Sequence, residues 1–170
     1  VNNITGTITI NTSNVTLNLN NRIITQPAGN GIAITGSNVA VSNGNINASG
    51  SGVRATSVSN IDLNDLTITG AVRGVEFATV TRGSINNCDF TQNTTGVELT
   101  SSTNICIDHC TAVRNTQAGF SLISSGTNTI SNCKAFENGI TSLVNGYGFV
   151  SRNGSGNIFE ACVADATQTT

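Results

Sequence analysis

Gly52-Val53-Arg54-Ala55, Gly74-Val75-Glu76-Phe77, Gly96-Val97-Glu98-Leu99 and Gly119-Phe120-Ser121-Leu122 are four versions of one phrase, set 22, 22 and 23 residues apart. The same beats follow each glycine. Eleven residues on stands Leu63, Ile85, Ile107 or Ile130, and fourteen on stands Leu66, Cys88, Cys110 or Cys133. Sixteen on stand Ile68, Phe90, Ala112 and Ala135. The frame reaches back to Gly31, which leads Ile32-Ala33-Ile34, and forward to Gly148, followed at the same offsets by Phe149, Phe159, Cys162 and Ala164. A fixed period of this size is the mark of a stacked repeat.

Inside each repeat, apolar residues alternate with Thr, Asn and Ser, which is the two-residue period of strands. Glycine and β-branched residues disfavour helix, and no 3.6-residue period is sustained. The expected fold is therefore all-β, a parallel β-helix (solenoid) of about seven coils, with three short strands in each coil of ~22 residues. At about 4.8 Å per coil the rod would be about 30–35 Å long. Side chains facing inward should stack in columns. Ile32, Val53, Val75, Val97, Phe120 and Phe149 form one, and Ile34, Ala55, Phe77, Leu99, Leu122 and Ser151 another. Residues 1–170 read as a single domain: an opening coil over 1–30, regular coils over 31–164, and an inserted loop over 139–147. That insertion carries Ile140, Leu143, Val144 and the sole tyrosine, Tyr147, and reads as a cover for the core. The chain opens inside strand-like sequence, and neither 1–5 nor 165–170 offers a helix or a charged cover. The sequence thus reads as a piece of a longer stack, continued by neighbouring segments or subunits.

Composition narrows the function classes. Only 9% of the 170 residues are charged, the net charge is −2, and there is no Trp. No basic face is available for nucleic acid or anionic lipid, and no apolar run has membrane-spanning length. Four of the five cysteines, Cys88, Cys110, Cys133 and Cys162, share one offset and should stack inward as small hydrophobes. Stacked parallel side chains seldom reach disulfide torsions, so a column of reduced thiols is expected. It hints at assembly inside a cell. The turns should carry Asn columns, with Asn64, Asn86, Asp108 and Ser131 in one and Asp65, Asn87, His109 and Asn132 in the next. Asn93, Asn115 and Asn138 make a third, in which stacked amides bond along the axis.

Gly-Val-x-Leu, then Ser-x-Asn-Ile-x-Ile, then Asn-Cys-x-Ala-x-x-Asn resembles the right-handed parallel β-helix repeat of pectate-lyase-like proteins. It is clearest from Gly96 to Phe120 and again from Asn132 to Asn138. The resemblance implies a right-handed, single-stranded solenoid, often displayed on a cell or virion surface. It implies no single activity, because the family spans polysaccharide lyases and hydrolases, adhesins and phage tailspikes. The lyases resemble one another in a calcium-binding group of aspartates beside a basic residue, and the hydrolases in several Asp with Gly-His-Gly and Arg-x-Lys. Those strings are missing here.

No catalytic site is assigned from the sequence, but some residues qualify as candidates. Glu76 and Glu98 are outward on adjacent coils with Arg54 one coil before them, and carboxylates about 5 Å apart suit a retaining glycosidase. The competing reading is an exposed Arg-Glu-Glu strip of little energetic worth. His109 follows Asp108, but neighbours on a strand point to opposite sides, so no dyad is expected. Asp62, Asp65 and Asp89 form a loose acidic area for calcium, without a recognisable loop pattern. No phosphate loop or dinucleotide fingerprint appears, so no cofactor is expected. The balance favours a non-catalytic rod with a polysaccharide or protein partner and end-to-end or lateral self-association. A polysaccharide lyase or glycoside hydrolase is the alternative.

Overall fold

The structure, a computed structural model, describes residues 3–139 and 146–165. The chain opens with β1 (Ile4–Thr5), β2 (Ile8–Ile10) and β3 (Val15–Gln26). Two coils of two strands follow: β4 (Ile32–Ile34) with β5 (Val39–Ala48), and β6 (Ser51–Thr56) with β7 (Ser59–Thr69). The next coil divides into β8 (Arg73–Ala78), β9 (Thr81–Asn86) and β10 (Asp89–Thr91). The following one holds β11 (Thr95–Thr100), β12 (Thr103–Asp108) and β13 (Thr111–Val113). Above it lie β14 (Ala118–Ile123), β15 (Thr129–Ser131) and β16 (Lys134–Phe136). The last described coil is β17 (Tyr147–Arg152), β18 (Ile158–Glu160) and β19 (Val163–Asp165).

Every ladder is parallel and joins a strand to its counterpart one coil away. One sheet runs β2-β4-β6-β8-β11-β14-β17, seven strands and one per coil, as the sequence period requires. The second sheet takes the remaining strands and bends around a corner. At that corner Asn43, Asp65, Asn87, His109, Asn132 and Ala161 all have φ between 50° and 57°. Asn favours this left-handed region and Ala does not. Stacking therefore imposes the conformation on whatever residue occupies the column.

The expected inward columns are present. Val53, Val75, Val97 and Phe120 are in register and fully buried, and so are Ala55, Phe77, Leu99 and Leu122. Ser151 departs from its column, since it is exposed. Cys88, Cys110 and Cys133 are buried, Cys162 is half-buried, and Cys106 stands outside. All five are free thiols. Hydrogen bonding with the Cys133 and Cys88 thiols, and then burial, push Cys110 far up, so it stays protonated.

The glycine that leads each repeat is there for steric reasons. Gly52, Gly74, Gly96 and Gly119 are buried and have ordinary negative φ. A Cβ at Gly96 would lie 2.5 Å from the carbonyl oxygen of Gly119, and one at Gly52 or Gly119 would lie 2.6 Å from that of Gly74 or Gly148. Glycine and the next residue are both buried in each coil from the one led by Gly31 to the one led by Gly119, so strict alternation is broken at this point.

The third Asn column is also internal. Asn93 and Asn115 are 1% and 0% exposed, and Asn115 Nδ2 donates to Asn138 Oδ1 at 2.9 Å. Asn128 and Asn157 repeat the arrangement at another corner, with Asn128 Nδ2 donating to Asn157 Oδ1 at 3.0 Å. Across the insertion the ladder keeps its register. Gly139 N donates to Asn115 O at 2.7 Å and Tyr147 N to Gln117 O at 3.0 Å. The expected cover by Ile140, Leu143 and Val144 lies outside the described residues.

Candidate functional site

Arg54, Glu76 and Glu98 occupy one register position on β6, β8 and β11, facing out from the seven-stranded sheet. They do not form an open strip. The side chains of Glu76 and Glu98 are only 16% and 15% exposed, because basic and hydroxyl groups close over them. Glu76 faces Arg54 Nε at 3.5 Å and accepts a hydrogen bond from Ser51 Oγ. Glu98 is bound by Arg73 Nε. Arg73 and Ser51 went unnoticed in the sequence because each precedes a repeat glycine. Two-residue counting from Val75 or Val53 assigns that position to the interior. With glycine and valine both inward, the residue before and the one after them share the outer face.

A hollow of about 310 Å³ opens beside this strip, lined by Asn30, Ala33, Ile34, Thr35, Arg54 and Thr56. Arg54 is the most exposed member of the ion pairs here, at 47%.

His109 and Asp108 do touch, which corrects the expectation from strand alternation. His109 Nδ1 donates to Asp108 Oδ2 at 2.6 Å. The left-handed φ of His109, 50°, turns its side chain back over its neighbour. Ser131 Oγ and Asn132 Nδ2 from the next coil also donate to Asp108 Oδ1, at 2.7 and 2.9 Å. These donors, Ser131 first, lower the Asp108 carboxyl from 3.8 to about 2. The imidazole is 62% exposed, so the pair stands open to solvent.

A folded-state pKa below the unfolded one stabilises the fold above the unfolded value, and the contribution is lost as pH falls. For Asp108 the loss falls between about pH 4 and pH 2. The urea midpoint of the wild type should thus drop across that window by more than the midpoint of Asp108→Asn. Parallel curves for the two proteins would show that the carboxylate network contributes nothing.

Asp62 accepts from Ser84 Oγ at 2.8 Å, Asp65 sits at the left-handed corner, and Asp89 faces out beside Thr67 and Thr111. Among the described residues no three His, Cys, Asp or Glu side chains gather closely enough to hold a metal ion. The three aspartates are therefore not brought together in one cluster.

The outward columns change character at the last described coil. Val150 follows Glu76, Glu98 and Ser121; Ile158 follows Cys106 and Thr129; Val163 follows Thr111 and Lys134. Ile158 and Val163 are 54% and 50% exposed. Tyr147, on the same coil, stacks under Arg152 at 5.1 Å.

The family described as right handed beta helix region matches residues 6–164. No curated protein matches the chain. Among solved structures, ORF18 of Geobacillus virus E2 superposes with a TM-score of 0.79 at 18% identity, covering 96% of this chain and 40% of that one. The periplasmic alginate epimerase AlgG gives 0.67 at 11%, over 84% of this chain and 45% of that one. Pectate lyase Pel9A gives 0.66 at 17%, over 92% and 52%. The chain thus spans about half or less of each of these structures, and at such identities the likeness concerns the fold alone.

Proposed function

The chain belongs to the right-handed β-helix family, and from that premise we propose that it is a non-catalytic structural rod of a surface, fibre or virion protein. The observation that carries this reading is the closure of three outward glutamates. Glu76 is held by Arg54 and Ser51, Glu98 by Arg73, and Glu137 by Arg114, each within the stack. A carboxylate used as nucleophile or general acid needs a reacting atom within hydrogen-bond reach. Here that reach is taken by the protein's own cations. The sparsely charged outer face and the apolar outward residues Val150, Ile158 and Val163 suit a glycan or protein partner.

The alternative is an enzyme acting on polysaccharide, and one observation favours it. Glu76 and Glu98 are stacked on adjacent strands beside the hollow at Arg54. The fold itself is compatible with both readings, being shared with a viral protein, a pectate lyase and an alginate epimerase.

Incubation with acidic and neutral polysaccharides, with and without calcium, separates the two. The rod predicts no cleavage of any of them by a folded sample. Turnover that falls by about a hundredfold or more in Glu76→Gln or Glu98→Gln would establish the enzyme instead.

A further inference from the structure

Asn-Gly pairs recur along this chain, and those with both residues described are Asn30-Gly31, Asn43-Gly44, Asn138-Gly139 and Asn153-Gly154. Such a pair can modify itself. The glycine backbone nitrogen, losing its proton, attacks the Asn side-chain carbonyl carbon. A new C–N bond closes a five-membered succinimide, the amide C–N bond breaks, and ammonia leaves. Water then opens the ring to aspartate or isoaspartate. No co-reactant beyond water is consumed. The rate depends on whether that glycine nitrogen and that amide are free to meet.

Three of the four pairs are locked by the stack. Gly31 N donates to Ser51 O at 2.9 Å, while Asn30 Oδ1 accepts from Ser51 N at 2.9 Å. Gly44 is buried inside β5, paired to Arg22 and Leu66, and Asn43 Nδ2 reaches Asn18 Oδ1 at 3.3 Å. Gly139 N donates to Asn115 O at 2.7 Å, and Asn138 Oδ1 accepts from Asn115 N at 3.0 Å. Attack at any of these first requires the ladder to open, which costs free energy in proportion to local stability.

Asn153-Gly154 differs on each count. Both residues are exposed and lie outside the strands, in the segment between β17 and β18. Among the described residues, none bonds to the Asn153 amide or to Gly154 N. Asn153 sits in the left-handed turn conformation, φ 55°, just past the end of β17. We infer that Asn153-Gly154 is a site of spontaneous succinimide formation, selected among these pairs by the fold. Its product adds a negative charge next to Arg152 and, as isoaspartate, an extra methylene to the main chain between β17 and β18.

The test is prolonged incubation of the whole folded chain at mildly alkaline pH, followed by peptide mapping with fragment-ion localisation. Conversion of amide to acid is expected at Asn153 roughly tenfold or more faster than at Asn30, Asn43 or Asn138. In urea the four sites should converge, because the ladder no longer shields three of them. Asn153→Gln should abolish the conversion at that position, since glutamine forms the ring poorly. That variant is preferable to Gly154→Ala, whose Cβ would collide with the Ser125 carbonyl oxygen. Equal rates at all four sites in the folded chain would overturn the inference. So would a preference for Asn153 that persists unchanged in urea.

Discussion

Phe120→Ala is expected to cost about 3–5 kcal/mol, a large part of the stability of a domain this size. Phe120 is fully buried at the heart of the rod. Its ring meets Phe90 edge-on, with centroids 6.5 Å apart, and stacks on Phe149 at 5.0 Å. Each such aromatic pair adds about 0.5–1.5 kcal/mol to area burial. The hole left by truncation cannot be filled from above or below, because each coil is pinned to its neighbours by backbone ladders. Phe136→Ala is the control: this ring is half-buried on the outer face in the Thr91 and Val113 column, and the change should cost under about 1 kcal/mol. The measurement is the denaturation midpoint at unchanged slope. Equal midpoints for the two variants would contradict an interior built from these columns.

The columns were legible because the period is carried by side chains that must all face inward. Leu63, Ile85, Ile107 and Ile130 recur at one offset, and a residue at that offset has no alternative environment. What counting missed were local departures from alternation. Glycine and the following residue both turn inward, which hid the pairing of Arg73 with Glu98. A left-handed residue reverses the side-chain direction at the corner, which brought His109 onto Asp108 against expectation. Both are backbone events, and their sequence signals are weak. The corner column holds Asn, Asp, His and Ala alike, so residue preference alone does not locate it.

The candidate site was only half legible for a related reason. Register placed Arg54, Glu76 and Glu98 in one row, as the repeat implies. Burial of the two carboxylates depended on side chains reaching diagonally across coils, Ser51 to Glu76 and Arg73 to Glu98. A diagonal contact joins residues 25 apart, not 22, so the repeat period does not reveal it. This separates a fold read with ease from a function that depends on a few contacts between coils.

Asn115→Ala should be about as costly as the loss of Phe120, at about 3–5 kcal/mol, although it removes no large apolar group. Asn115 Oδ1 accepts from Asn93 N at 3.0 Å, and Nδ2 donates to Phe90 O at 3.1 Å and to Asn138 Oδ1 at 2.9 Å. Truncation orphans the buried Asn93 N–H, at about 1–3 kcal/mol, takes the second donor from a Phe90 carbonyl that the ladder with β13 also engages, and leaves a polar void. Asn115→Asp would be no remedy, because an ionised carboxylate cannot donate to Phe90 O and brings an unpaired charge into the core. The exposed ladder through Asn14, Asn38 and Asn60 has similar bonds, with Asn38 Nδ2 donating to Asn14 Oδ1 at 3.0 Å. Water replaces those bonds on truncation, and the cost left is that of placing Ala at the left-handed φ of 56°, so Asn38→Ala should cost only about 1 kcal/mol. Hydrogen exchange gives the sharper readout, since the Asn93 amide should lose protection in Asn115→Ala before distant coils do. If both Asn variants proved equally mild, the internal amides would be passengers of the stack, and apolar burial alone would have to hold its coils in register.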